Sequence, residues 1–139
     1  LKMINYRDLK HQLKRKDLVY PELSYQIIGI LFEVFKQLGY GYQEKYYQRA
    51  VALEIKNCAL RFREQVPVKI MYSGSKIGSY FLDFLVDEKV ILEIKKDRNF
   101  SKRNIEQVVA YLKALNLKLG ILANFTAKGV EYRRILNLN

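Results

Sequence analysis

Two carboxylates and an amine stand out in the middle of the chain. Asp83 lies inside Tyr80-Phe81-Leu82-Asp83-Phe84-Leu85-Val86, and Glu93 and Lys95 close Val90-Ile91-Leu92-Glu93-Ile94-Lys95. Both runs read as apolar strands, so each acid is carried toward a surface that belongs to a core. Burying a carboxylate costs several kcal/mol unless it is paired or holds a cation. Lys95 neutralises one acid in a buried ion pair, but two acids and one lysine leave a negative charge over. A divalent cation removes that surplus, and with oxygen ligands magnesium or manganese suits the set. A cation held by Asp83 and Glu93 beside a lysine is the equipment of phosphodiester hydrolysis. It polarises a phosphate and lowers the pKa of a bound water, while Lys95 orients that water and offsets developing charge.

Whether the two acids meet depends on the turn between the strands. Side chains alternate along a strand, which groups Ile91, Glu93 and Lys95 on one face and Phe81, Asp83 and Leu85 on one face. A two-residue turn, Asp87-Glu88, sets Asp83 opposite Leu92 and sends the acids to opposite sides of the sheet. A three-residue turn, Asp87-Glu88-Lys89, pairs Val86 with Val90 and sets Asp83 opposite Glu93, with Cβ atoms roughly 5 Å apart. The three-residue turn is therefore the expectation.

The elements that must position these strands follow from periodicity. Residues 1–19 are polar and basic, with Lys10, Lys14, Arg15 and Lys16 clustered; they read as a solvated helix or arm, with a nucleic-acid-gripping arm as the alternative. Pro21 opens a helix whose apolar stripe is Ile27, Leu31, Val34, Phe35 and Leu38, ended by Gly39. Tyr47, Val51, Ile55 and Cys58 mark the buried face of a second helix, and Glu44 begins the same stripe. An acid there ordinarily complements the helix dipole, and its inward direction leaves a second role open. From Arg61 to Tyr72 the pattern alternates, Val66, Val68, Ile70 and Tyr72 against Gln65, Pro67, Lys69 and Met71, and Pro67 places this strand at an edge or at an irregular position. Ser73-Gly74-Ser75 turns it into the Asp83 strand. Lys96 to Arg103 is a basic loop with the cations Lys96, Arg98, Lys102 and Arg103, and within it Ser101 is an N-cap for a helix with the stripe Ile105, Val108, Val109 and Leu112. Gln107 and Tyr111, four apart, share one flank of that stripe. Lys118 to Phe125 is a short strand with the apolar run Leu119 to Ala123, expected to pair in parallel because a helix separates it from the meander, and Val130 to Leu136 is a last strand or helix exposing Arg133 and Arg134.

Composition bounds the rest. The chain has 139 residues, half of them hydrophobic, enough for one domain with a core, spanning 1–139. A formal net charge of +11 favours a polyanionic partner, nucleic acid before a membrane surface. One cysteine and one histidine exclude an internal disulfide framework, a cysteine zinc cluster and a multi-histidine metal site within the chain. No apolar run approaches a membrane span and no signal peptide is visible, so the cytoplasm is the expected location.

A helix, a three-stranded meander, a helix and a further strand make an αβββαβ core, and with Asp83 and Glu93-Ile94-Lys95 they resemble the PD-(D/E)XK nuclease superfamily. Gly41-Tyr42-Gln43-Glu44-Lys45-Tyr46-Tyr47 looks like the motif of its GxxExxY family of small bacterial and archaeal proteins. Gln107 to Tyr111 is similar to the QxxxY element of exonuclease branches, and Glu131-Tyr132-Arg133-Arg134-Ile135 looks like the GxxExxY family's ending. The resemblance spans about residues 18–137; Phe35 and Tyr40 depart from it, standing where histidine and proline are expected. It implies a restriction-endonuclease-like α+β fold, a mixed sheet flanked by helices, and a Mg²⁺- or Mn²⁺-dependent nuclease acting on nucleic acid, DNA before RNA, with a homodimer allowed. Asp83, Glu93 and the Ile94 carbonyl would hold the cation, Glu44 would complete its shell directly or through water, and Lys95, Gln107 and Tyr111 would serve the reaction. Lys96, Arg98, Lys102 and Arg103 would contact phosphates without reading bases. The alternatives are a binding module on a nuclease-like fold, or an interaction protein whose eleven tyrosines form a partner surface.

Overall fold

The computed structural model describes residues 19–97 and 99–138. The basic cluster Lys10, Lys14, Arg15 and Lys16, and Arg98, lie outside the described residues. Pro21 fills the first turn of helix α1 (Pro21–Leu38), where its missing N–H and fixed φ cost nothing, and Gly39, at φ 69°, takes the turn that ends it. Helix α2 (Glu44–Asn57) follows and buries Tyr47, Val51 and Ile55. Cys58, expected on that buried face, is exposed instead. It is the C-cap residue, so the helical spacing no longer aims it inward.

Five strands form one mixed sheet in the order β1 (Phe62–Tyr72), β2 (Ser75–Val86), β3 (Val90–Lys95), β4 (Leu119–Thr126), β5 (Gly129–Leu136). The first three make an antiparallel meander. Helix α3 (Lys102–Leu115) then crosses over, and β4 pairs with β3 in parallel. The last segment is a strand, antiparallel to β4. Ser101 caps α3 as expected, its hydroxyl accepting the Asn104 N–H at 3.0 Å.

Each sheet face has its own core. Ile27, Leu31 and Val34 of α1 and Tyr47, Val51 and Ile55 of α2 pack with Phe84, Val86, Leu92 and Ile94. On the opposite face Val108, Tyr111 and Leu112 of α3 pack with Leu82, Leu85, Ile91, Leu122 and Ile135. Gly120 lets α3 approach: a Cβ there would meet Val108 Cγ1 at 2.6 Å.

The turn between β2 and β3 has three residues, with Val86 opposite Val90 and Phe84 opposite Leu92. Asp87 and Glu88 take left-handed φ values of 53° and 55°. Arginines of β1 and the residue before it hold them: Arg61 bonds Asp87 at 2.8 Å, and Arg63 bonds Glu88 bidentately at 2.7 and 2.9 Å.

Three details differ from simple periodicity. Leu82 and Leu85 share the α3-side core whereas Phe84 and Val86 share the other, so alternation breaks at Asp83 and the grouping of Phe81, Asp83 and Leu85 on one face does not hold. Opposite this break Gln65 has φ 50°. On β1, the edge strand that carries Pro67, burial stops after Val68, and Ile70 and Tyr72 are exposed. Arg134, expected to be exposed, is half-buried and donates to Ser24 Oγ at 3.2 Å and to the Val19 carbonyl. Burial lowers its pKa to about 10.

Candidate active site

The site is built where β2 and β3 part. Their ladder pairs end at Phe84 and Leu92, and the next step is made by a side chain. Asp83 Oδ2 accepts the Ile94 N–H at 2.8 Å. Its other oxygen, Oδ1, accepts from Gln48 Nε2 of α2 at 3.2 Å. The Asp83 carboxylate thus takes the place of a backbone carbonyl, which explains how it stays buried beside a sheet.

Glu93 has no such provision. It is 2 % exposed, and neither Oε1 nor Oε2 has a hydrogen-bond partner. Burial first, and then the Asp83 charge, push its pKa up to about 9, with Lys95 pulling the other way. A pair of carboxylates in this state cannot both ionise unless a cation joins them. The unsatisfied oxygens therefore fit a divalent ion.

Glu44, the first residue of α2, stands at the rim. Burial raises its pKa, the Lys95 charge opposes this, the Asp83 charge adds to it, and a backbone hydrogen bond from Lys96 stabilises the ionised form. Among the described residues no three acid, histidine or cysteine side chains converge into a ready metal cluster. Asp83 and Glu93 form the pair, and Glu44 stands back from it. Magnesium is commonly held by one or two carboxylates, with waters and substrate phosphate filling the other positions.

Tyr111 of α3 is buried and stacks on Tyr80 of β2, with ring centroids 4.3 Å apart and planes at 17°. Burial raises both phenol pKa values, and the Glu93 charge raises both further. Tyr111 and Tyr80 thus both lie within reach of the Glu93 charge. Gln107 lies one turn earlier on α3, half-buried, and no hydrogen bond among the described residues ties it to the acids. Lys95 ends β3 opposite Asn124. Lys96 sets its ammonium 5.2 Å from the centre of the Tyr40 ring. Lys102 and Arg103 are exposed at the start of α3, and Lys102 lies 3.8 Å from Glu106.

Sequence reasoning missed Gln48 and Tyr80. Gln48 is four residues beyond Glu44, on the same side of α2, a spacing that was available to find it. Tyr80 sits three residues before Asp83, and no local pattern marks it because its partner is on α3.

A mixed five-stranded sheet with α1 and α2 on one face and α3 on the other, and its acids where β2 and β3 part, defines a restriction-endonuclease-like α+β fold. The chain belongs to the PD-(D/E)XK nuclease superfamily, whose family model matches residues 21–135. Among solved structures, SSO0001 is similar with a TM-score of 0.53 and 17 % identity, covering 99 % of this chain and 69 % of that one. An alkaline exonuclease (LHK-Exo) from Laribacter hongkongensis is similar with a TM-score of 0.50 and 12 % identity, covering 92 % of this chain and 74 % of that one. At these identities the likeness is one of fold. No curated protein sequence matches. No described helix is long and apolar enough to cross a membrane.

Proposed function

We propose that the protein is a metal-dependent nuclease of the GxxExxY type that hydrolyses phosphodiester bonds, those of DNA before RNA. The observation that carries this reading is Glu93, a carboxylate buried beside Asp83 with both oxygens unpartnered. Asp83, Glu93 and the Ile94 carbonyl would hold Mg²⁺ or Mn²⁺, and Glu44 would complete the shell directly or through water. When bound, the cation polarises the scissile phosphate and lowers the pKa of its water. Lys95 orients the attacking water and offsets charge on the transition state. Gln48 fixes the Asp83 carboxylate from α2, and Gln107 and Tyr111 position substrate. Lys96, Arg98, Lys102 and Arg103 supply sequence-blind phosphate contacts.

The test is cleavage of labelled single-stranded DNA, duplex DNA and RNA with magnesium or manganese, beside Asp83→Asn and Lys95→Ala. Asparagine keeps an oxygen for the Ile94 N–H, so folding is preserved while a charge is lost. Cleavage that needs the metal and is abolished by both substitutions establishes the nuclease. Cleavage that survives them, or none on any substrate, discards the catalytic assignment in favour of a binding module.

A further inference from the structure

Tyr40, Tyr42 and Tyr46 are exposed, at 46 %, 47 % and 43 %, yet they are not loosely placed. Tyr42 packs edge-on against Tyr46 at 6.4 Å and against Tyr47 at 6.2 Å. Tyr47 is fully buried, stacks on Phe125 at 4.4 Å, and donates its hydroxyl to the Gly39 carbonyl at 2.6 Å. The loop that carries Tyr40 and Tyr42 is therefore tied to the core through one side chain.

Cations surround the rings. Lys45 and Arg49 lie 5.2 and 5.6 Å from the centre of the Tyr46 ring, and Lys96 lies 5.2 Å from that of Tyr40. Lys96 also joins the patch to the site, because its backbone bonds to Glu44 while its ammonium covers Tyr40. The negative charges nearby are Glu44 itself and Asp97, whose charge bears on Glu44.

Pre-positioned aromatic faces interleaved with cations are what unpaired nucleotides bind: bases stack on the rings and phosphates meet the cations. Bases inside a duplex have their faces covered by neighbouring pairs and cannot stack in this way. We infer that Tyr40, Tyr42 and Tyr46, with Lys45, Arg49 and Lys96, form a platform for single-stranded nucleic acid that feeds the Asp83–Glu93 site. This names the substrate class of the proposed nuclease and rests on that reading for its consequence.

The experiment is fluorescence anisotropy of labelled oligothymidylate and of a blunt duplex of equal length, with the whole chain in chelator so that nothing is cut. Tighter binding of the single strand, weakened about fivefold or more by Tyr46→Ala and retained by Tyr46→Phe, is the expected result, in keeping with alanine replacement of stacking residues elsewhere. The Tyr40→Ala/Tyr42→Ala/Tyr46→Ala variant should lose the single-strand preference altogether, with melting curves confirming the fold of each protein. Equal or tighter binding of the duplex, affinity indifferent to the folded tyrosine variants, or no binding of either probe overturns the platform. A parallel cleavage assay with manganese separates the two readings. Tyrosine-dependent single-strand binding without cleavage sinks the nuclease alone; cleavage with tyrosine-indifferent binding sinks the platform alone.

Discussion

Replacing Glu93 by glutamine should stabilise the metal-free protein while abolishing cleavage. Glu93 is nearly fully buried without a partner for either oxygen, and the groups around it are Asp83, Lys95, Tyr80 and Tyr111. Its pKa rises from 4.5 to about 9 on folding. Between those values the folded chain holds a proton that the unfolded chain releases, so stability falls as pH rises, by about 1.4 kcal/mol per pH unit. Glutamine has the same shape and, like the protonated acid, can donate to Asp83, but it titrates nowhere in this range. The variant and the parent should therefore be about equally stable near pH 4.5. At pH 7 the variant should lead by about 3 kcal/mol, worth roughly 10 °C in melting temperature for a chain of this size. Magnesium should raise the melting temperature of the parent at pH 8 and leave Glu93→Gln almost unmoved, since binding to the folded state alone stabilises it. The assay is thermal denaturation across pH, with and without magnesium. A gap that is absent at pH 7, or constant across pH, would refute the buried, proton-holding Glu93.

Lys95→Ala should reduce cleavage to background, a loss of about 100-fold or more as expected for a transition-state partner, read from initial rates at saturating manganese. Gly120→Ala sets a methyl 2.6 Å from Val108 Cγ1; it should cost about 1–3 kcal/mol, and Val108→Ala in the same chain should recover part of it in denaturant titration. Arg134→Ala removes donors from Ser24 Oγ and the Val19 carbonyl. It should destabilise the chain by about 1–3 kcal/mol without changing kcat, because the residue belongs to the α1 contact with β5.

The sequence carried the order of the elements because local chemistry decided each one. Pro21 and Ser101 marked helix starts, Pro67 marked an edge strand, and the helix before Leu119 made a parallel pairing the economical one. The three-residue turn followed from asking which register lets two acids meet. What stayed hidden depends on contacts distant in sequence. Nothing local says that α3 stops covering β1 after Val68, leaving Ile70 and Tyr72 in water. Nor does alternation foresee that it would break at Asp83, whose carboxylate accepts the Ile94 N–H, or that Tyr80 would find Tyr111. Arg134 looked like one of two surface arginines until α1 was packed over β5. The site's acids were legible as types and spacing; of their supports, Gln48 had a helical spacing from Glu44 to mark it, whereas Tyr80 came only with the packing.

Asp83 completes the sheet with the same carboxylate that is proposed to serve chemistry. Its removal therefore carries a conformational penalty in addition to a functional one. A descendant that abandoned cleavage would still be under pressure to keep an oxygen acceptor at this position, so decay should reach Lys95 or Glu93 first. An aspartate in an inactive relative would then be a relic of architecture. The surviving acid would report on the integrity of the β2–β3 junction, and the identity of its neighbours at 93 and 95 would report on the trade the protein practises.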